Sequence, residues 1–322
     1  MGIAVFGQAT YDITKAFAIT AGLRYDHEEI DADVNRVFTS PALPDGSFSE
    51  SATFDAFSPK AALGFQANDD VFLFANIARG FRPGGVNTFV SDPGNAPFDP
   101  ETTWNYEAGI KSNLLENRLK LNLTAFYINY SDQQVFTLLN LESFDFGTDN
   151  IGESRSFGLE LESEWAATKG LNFTLNLGYL NTEITDYSTL NPATGEPTSF
   201  EGNSLPNSPE FTGNLNVNYI QPLTKKINFE TSIDYNYQSD VFFDFGQFPT
   251  PELPTAENVL IQEAYGLLNG RLGLTSKNLD LFLWGKNLTD ETYFSYGYGV
   301  GGFNAASFAL PRTYGVTLTG KF

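Results

Sequence analysis

Apolar and polar side chains alternate along this chain over stretches longer than the strands of most soluble proteins. In the segment 226–238, Phe229, Ile233 and Tyr235 lie on one side of an extended backbone, opposite charged and amide residues. The same period recurs in the segments 17–25, 157–165, 171–179, 215–219 and 312–322. Strands of soluble proteins usually have about 5 to 6 residues. Long strands with one apolar and one polar face are typical of a membrane-spanning barrel, where the two faces contact lipid and a polar lumen.

The composition favours strands and excludes some other classes of protein. Aromatic residues make up 15% of the 322 residues, and the chain has 29 Gly and 16 Pro. Aromatic side chains fit a pleated sheet, and Gly and Pro favour turns. The mean hydropathy of -0.21 is compatible with a barrel, because the lumen side of every strand is polar. The net charge of -21 argues against nucleic acid or anionic lipid as a partner, since both require a basic surface.

The alternation predicts thirteen strands joined by connections of alternating length. The strands are expected near 2–11, 16–30, 53–66, 70–80, 102–113, 117–137, 154–167, 170–186, 209–221, 225–240, 264–276, 278–288 and 307–322. Long loops rich in Pro, Gly, Asp and aromatic residues are expected near 31–52, 81–101, 138–153, 187–208, 241–263 and 289–306. Short turns at one rim and long loops at the other are typical of outer-membrane barrels. The predicted fold is therefore all-β, a partial transmembrane antiparallel β-barrel.

Counting strands back from the C-terminus places Met1 at the extracellular rim. Bacterial single-chain barrels have an even number of strands, and thirteen strands would leave two long unpaired edges. We therefore expect further strands before Met1. Residues 1–10 contain no signal peptide. Either a signal precedes this segment, or the membrane interpretation is wrong.

Five stretches in the same order resemble TonB-dependent receptors of Gram-negative bacteria. They are Ile77–Asn87, Pro100–Lys111, Asn117–Tyr130, Lys286–Tyr293 and Pro311–Phe322. The resemblance implies a 22-stranded barrel closed by an N-terminal plug, as in other barrels of that size. Residues 1–322 would be the C-terminal part of that barrel, without the plug and the first strands. The terminal Phe322 resembles the family's assembly signal, which the barrel assembly machinery reads.

The candidates for catalysis or metal binding have simpler explanations. His27 is the only histidine, and we expect a rim residue, since a metal or catalytic site requires partners of matched spacing. Asp31, Asp33 and Asn35 imitate the start of a calcium loop but lack its later Gly and Glu, so at most weak calcium binding is expected. Glu160, Glu162 and Glu164 share one strand face, where a polar lumen explains them without glycosidase chemistry. We expect no enzyme activity, no catalytic residues, no metal and no cofactor.

Aromatic residues fall into two groups. Those near strand ends suit the girdles at the membrane interfaces, and they are Tyr25, Trp104, Tyr106, Trp165, Tyr179, Tyr235 and Trp284. A second group lies in the long loops, where aromatic rings can bind a flat organic ligand. Its members are Phe242, Phe243, Phe245, Phe248, Tyr293, Phe294, Tyr296, Tyr298 and Phe303. Packing of loop against loop explains them equally well. Arg82 and Asn87 could add polar contacts to an anionic chelate.

The expected function is that of an outer-membrane receptor in a Gram-negative bacterium that takes up a bulky, scarce nutrient. The expected cargo is a ferric siderophore, with cobalamin, haem or an oligosaccharide as alternatives. The resemblance implies energy from the TonB–ExbB–ExbD complex, through the missing plug, and contact with outer-membrane lipid. A passive porin or structural barrel is the alternative from another class. An outer-membrane enzyme is the third.

Overall fold

The computed structural model describes residues 1–37, 46–140, 145–190, 197–245, 260–300 and 303–321. Thirteen antiparallel strands form one sheet in which each strand pairs with its neighbours in the chain. The strands are β1 (Gly2–Asp12), β2 (Phe17–Arg36), β3 (Gly46–Asn68), β4 (Val71–Arg82), β5 (Glu101–Leu114), β6 (Leu119–Asn140), β7 (Asp145–Ala166), β8 (Leu171–Asp186), β9 (Phe211–Pro222), β10 (Ile227–Gln238), β11 (Tyr265–Ser276), β12 (Leu279–Lys286) and β13 (Thr313–Gly320). The predicted fold class and the thirteen strands are confirmed. The sheet is open in the described residues, with β1 and β13 at its edges.

The register keeps one face of the sheet apolar across all the strands. In β9 and β10, Leu215 lies opposite Tyr235 and Val217 opposite Ile233. Many side chains of this face are solvent-accessible in the isolated chain, including Leu215 at 41% and Ile233 at 53%. The opposite face carries mainly amide, hydroxyl and charged groups, with the rings of Phe74, Phe126, Phe282 and Trp284 among them. We call the two sides the apolar face and the polar face.

Threonine hydroxyl groups close several of the short turns at one rim. Phe17 donates its backbone N–H to Thr14 Oγ1 over 3.0 Å, Leu171 to Thr168 Oγ1 over 3.2 Å and Ile227 to Thr224 Oγ1 over 3.1 Å. Such side-chain bonds satisfy backbone groups that the strand ladder leaves free. The turn between β5 and β6 is different, since Leu115, Glu116 and Asn117 all have positive φ. This rim therefore has tight turns with their own local hydrogen bonds.

Several strands end at residues other than those predicted. β2 continues to Arg36 and β3 begins at Gly46, so Asp31, Asp33 and Asn35 lie in a strand rather than a loop. β6 and β7 also extend further, to Asn140 and from Asp145. The last strand begins at Thr313 rather than near residue 307, because Phe303–Phe308 pairs with Phe294–Val300 as a separate hairpin.

The long connections contain small elements that the sequence pattern did not reveal. Short ladders join Gly85–Val86 to Pro97–Phe98, Ser188–Leu190 to Pro197–Ser199 and Val241–Phe242 to Ile261–Gln262. A 3-10 turn spans Pro93–Asn95. None of the helical segments in the described ranges is long and apolar enough to cross a membrane. Four of the six long connections thus contain short ladders beyond the ends of the wall strands, and the other two are extensions of β2–β3 and β6–β7.

Candidate functional site

Aromatic pairs on the apolar face mark the end of the sheet that carries the long connections. Tyr25 and Phe57 have ring centroids 5.0 Å apart, and those of Tyr179 and Phe211 are 5.1 Å apart. These positions agree with the predicted interfacial girdle. Trp284 does not, because it lies on the polar face with Thr317, to whose Oγ1 its Nε1 donates a hydrogen bond of 3.2 Å. The ring covers Gly315, where a side chain would overlap it.

His27 lies just beyond the Tyr25–Phe57 pair, on the same side of β2 as Tyr25. Its Nδ1 is 2.9 Å from Asp55 Oδ1, which also accepts a 2.6 Å hydrogen bond from the Tyr25 hydroxyl. The hydrogen bond to Asp55 raises the pKa of His27 above its ordinary value. This cluster continues the apolar face outwards, so His27 points away from the polar face. In the described ranges, no group of three or more His, Cys, Asp or Glu side chains is arranged for a metal ion.

Among the predicted loop candidates whose side chains the structure describes, the two most exposed lie on the hairpin between β12 and β13. Tyr296 is 54% exposed and Tyr298 is 49% exposed, with ring centroids 6.0 Å apart. Phe243 from the preceding connection lies edge-on to Tyr296 at 6.5 Å. Two connections that are distant in sequence therefore contribute to one surface. We call Phe243, Tyr296 and Tyr298 the aromatic strip.

Phe245 is instead part of a packed cluster between connections. Its ring lies 5.5 Å from that of Tyr187 and 6.1 Å from that of Phe200. Tyr187 is buried and packs beside Ile184, which has no exposed surface. For Phe245, the structure therefore agrees with the alternative in which the aromatic residues pack loop against loop. The sequence analysis missed Tyr187 and Phe200, since single rings in a polar loop gave no pattern.

Two further aromatic candidates have partners at the ends of strands. Tyr293 stacks on Tyr265, the first residue of β11, with centroids 4.3 Å apart and planes 20° apart. Phe242 pairs with Ile261 in a two-residue ladder. Phe248 and Phe322 lie outside the described residues, and only the backbone of Phe303 is described.

Arg82 and Asn87 have very different environments. Arg82 ends β4 on the polar side, exposed and directly across from Glu101, and its guanidinium has no hydrogen bond or ion pair within the described residues. The Asn87 side chain is buried, and its Nδ2 donates to Thr148 O over 2.8 Å. Its Oδ1 accepts from Thr148 N over 2.7 Å. The Asn87 amide thus joins its own loop to β7, and we assign it a structural role.

The three glutamates of β7 lie on the polar face, as predicted. Glu160, Glu162 and Glu164 face Gly178, Asn176 and Thr174 of β8. Glu162 accepts a 3.2 Å hydrogen bond from Asn122, and Glu164 lies 3.7 Å from Lys120. Amide groups are the main polar neighbours on β9 and β10, where Asn214 lies opposite Asn236. The polar face therefore combines carboxylates with neutral hydrogen-bonding groups.

Comparison with known proteins identifies the family. The family model for the TonB dependent receptor-like beta-barrel matches residues 2–288. The pesticin receptor of Yersinia pestis is 23% identical over 317 residues, which are 98% of this chain and 43% of that protein. A metal-pseudopaline receptor of Pseudomonas aeruginosa is 29% identical over 198 residues, which are 60% of this chain and 25% of the relative. This chain spans less than half the length of these curated relatives.

Solved structures show the same fold. The ferric yersiniabactin uptake receptor FyuA of Yersinia pestis matches with a TM-score of 0.80 at 22% identity, over 98% of this chain and 45% of that one. The siderophore receptor PiuA of Acinetobacter baumannii matches with a TM-score of 0.76 at 23% identity, over 98% and 42%. Proteins of this family are transport receptors, not enzymes. The chain belongs to the TonB-dependent receptor β-barrels of the Gram-negative outer membrane.

Proposed function

We propose that this chain is the C-terminal part of the barrel of a receptor that imports a ferric siderophore. The observation that carries the proposal is the match, along nearly the whole chain, to a ferric yersiniabactin uptake receptor and to the siderophore receptor PiuA. The polar face then lines the lumen, and the apolar face contacts outer-membrane lipid, as the alternation in such barrels requires. The proposal includes a plug and the first barrel strands, which would complete the full-length receptor.

The aromatic strip is the proposed first contact for the cargo. Exposed rings give a binding surface large contact area with few rotatable bonds. Phe243, Tyr296 and Tyr298 lie beyond the wall strands, on the side of the long connections. The packed rings of Phe245 and Tyr293 would hold the connections in shape behind this surface.

The energy source is proposed to be the TonB–ExbB–ExbD complex, acting on the plug. Because a plugged lumen has no open path, passage requires work on the plug, whereas a passive porin requires none. Phe322 is proposed to direct assembly through the barrel assembly machinery. Dependence on TonB therefore separates the proposed receptor from a porin.

Uptake of radioactive iron tests the proposal in cells that produce the full-length receptor and lack their other iron receptors. Ferric siderophores of several chemical types are supplied one at a time. We expect uptake of at least one, lost when TonB is deleted. The double variant Tyr296→Ala with Tyr298→Ala should weaken binding about tenfold, since each ring contributes about 0.5–1.5 kcal/mol. Phe89→Ala is the control, because Phe89 is 77% exposed on a different connection. Uptake that persists without TonB would favour the porin.

A further inference from the structure

A groove with a volume of about 530 Å³ lies on the polar face of β7 to β11. It follows two neighbouring rows of cross-strand partners. One row runs through Glu160, Gly178, Thr212, Gln238 and Tyr265, and the other through Glu162, Asn176, Asn214, Asn236 and Leu267. Gln238 ends β10 and Tyr265 begins β11, so the groove reaches the rim with the long connections. It therefore opens where a cargo enters the lumen.

Small residues in the middle of the first row give the groove its depth. Gly178 has no side chain, and a Cβ atom there would lie 2.6 Å from Thr212 Oγ1. The larger side chains of Glu160 and Tyr265 stand at the two ends of that row. A side chain at position 178 would fill the floor, so glycine keeps this part of the wall open.

The polar groups of the groove divide into those that hold the wall and those that are free. Asn214 and Asn236 both donate to the carboxylate of Asp234, which ties β9 to β10. The side chains of Glu160, Asn176 and Gln238 make no hydrogen bond within the part of the chain that the structure describes. A rigid wall with free acceptors and amide donors can exchange its water for a polar guest at little entropic cost.

The charge of the groove is negative. Glu160 and Glu162 line it, and no Lys or Arg is among its described lining residues. On the same face, Lys120 lies 3.7 Å from Glu164 and Arg271 lies 2.7 Å from Glu230. Lys111 lines a neighbouring cavity together with Glu107, Glu160 and Glu162, so the carboxylates there outnumber it. Like charges in a partly enclosed cleft repel, and a cleft of one sign concentrates ligands of the opposite sign. The groove therefore disfavours an anionic guest.

An aromatic ring bounds the groove on its β11 side. Tyr265 lines it and is held by its stack with Tyr293 at 4.3 Å. A ring fixed in this way offers an apolar surface to a flat or ring-shaped group, and its π-system attracts a cation. The chemistry of the wall thus suits a guest with hydroxyl or amide groups and no net negative charge.

We propose that this groove is a cargo subsite, and that it selects neutral or cationic chelates over anionic ones. The inference rests on the proposed transport function and narrows its substrate class. It differs from the expectation that Arg82 contacts an anionic chelate. Arg82 lies on β4, away from the groove on β7 to β11. Its cross-strand partner is the acidic residue Glu101.

Binding to the purified full-length receptor in detergent tests the subsite. The probes are a cationic ferric trihydroxamate, a neutral ferric trihydroxamate and a trianionic ferric tricatecholate, titrated by calorimetry at low and high salt. We expect the first two to bind more tightly than the third. Glu160→Gln should weaken binding of the cationic probe about three- to tenfold and leave the neutral one nearly unchanged. The effect should shrink at high salt.

Glu164→Gln is the matched control, since it lies on the same strand and face but outside the groove and beside Lys120. Tighter binding of the trianionic probe would overturn the inference, as would equal effects of Glu160→Gln and Glu164→Gln. A loss for all three probes would indicate a structural effect and would also count against it. The proposed function fails separately, if none of the three chelates supports TonB-dependent iron uptake. TonB-dependent uptake that prefers the trianionic chelate would contradict the proposed subsite but not the proposed transport function.

Discussion

Gly315 shows how a single missing side chain shapes the polar face. Its partner across β12 and β13 is Trp284, whose ring lies where a Cβ atom on residue 315 would be. We expect Gly315→Val to destabilise the receptor by about 1–3 kcal/mol, because an overpacked site forces side chains out of their rotamers. Urea unfolding of the full-length receptor in detergent, followed by tryptophan fluorescence, measures this loss.

Gly7→Val is the control for that substitution, since no atom lies within 4 Å of a Cβ placed on Gly7. The double variant Gly315→Val with Trp284→Leu should recover much of the lost stability, because it removes the ring that overlaps the new side chain. Equal losses for Gly315→Val and Gly7→Val would show that the ring does not require glycine at position 315.

At the scale of elements, the connection between β4 and β5 is fixed to the wall by side-chain amides. Asn87 bonds to the backbone of Thr148, and Gln134 donates from Nε2 to Pro83 O over 2.7 Å. Asn150 Nδ2 donates to Asp99 O over 2.9 Å. These bonds satisfy backbone groups that have no strand partner. The connection and the β6–β7 hairpin therefore form one ordered unit.

We expect Asn87→Leu to loosen this connection while the strands stay intact. The apolar side chain has a similar size but leaves Thr148 N and Thr148 O without their partner, which costs about 1–3 kcal/mol per buried group. Amide hydrogen exchange by mass spectrometry should show faster exchange in peptides covering 83–100 and 145–150. Thr88→Ala, at an exposed neighbouring position, should not change either peptide.

A ligand role for Asn87 would give a different outcome. Loss of cargo affinity in Asn87→Leu with unchanged exchange would show that the amide contacts the cargo directly. That result would contradict the structural role.

Alternation predicts the strands within the membrane band and fails beyond it. Between Phe17 and Tyr25 the large apolar side chains all lie on the apolar face, so the period is visible in the sequence. Beyond His27 the alternation changes phase, so that Ile30, Ala32 and Val34 lie on the side opposite Tyr25, and Asp31 and Asp33 look like loop residues although their strand continues. The hairpin Phe294–Val300 with Phe303–Phe308 was hidden for a similar reason, because glycines and aromatics there lack a polar face. The alternation of apolar and polar residues is easy to recognise only where the two faces of a strand have different surroundings, lipid on one side and water on the other.

The candidate site was predictable as a region but not as a surface. The sequence placed aromatic residues in two late connections, and Phe243 and Tyr296 do meet. It could not separate exposed Tyr298 from packed Phe245, because burial depends on Tyr187 and Phe200, which lie far away in the chain. The groove depends on the register of five strands, which a sequence alone leaves open.

At the scale of the whole molecule, the assignment of the two faces makes a sharp prediction. Leu215 and Asn216 are neighbours near the middle of β9 and point to opposite sides. If the apolar face contacts hydrocarbon, Leu215→Arg places a charge in the bilayer, at a cost of about 2–4 kcal/mol near the midplane. Asn216→Arg places the same charge in the aqueous lumen, where it should cost far less.

The two arginine variants are compared in the full-length receptor, by the amount of heat-modifiable, folded protein in outer-membrane fractions. We expect Leu215→Arg to lower this amount strongly and Asn216→Arg to leave it near the level of the unmodified receptor. Because both variants add one charge to the same strand, differences in expression or net charge cancel. A larger loss for Asn216→Arg than for Leu215→Arg would mean that the polar face contacts lipid. The polar face would then not line the lumen, which would contradict the proposed function and the cargo subsite in the groove.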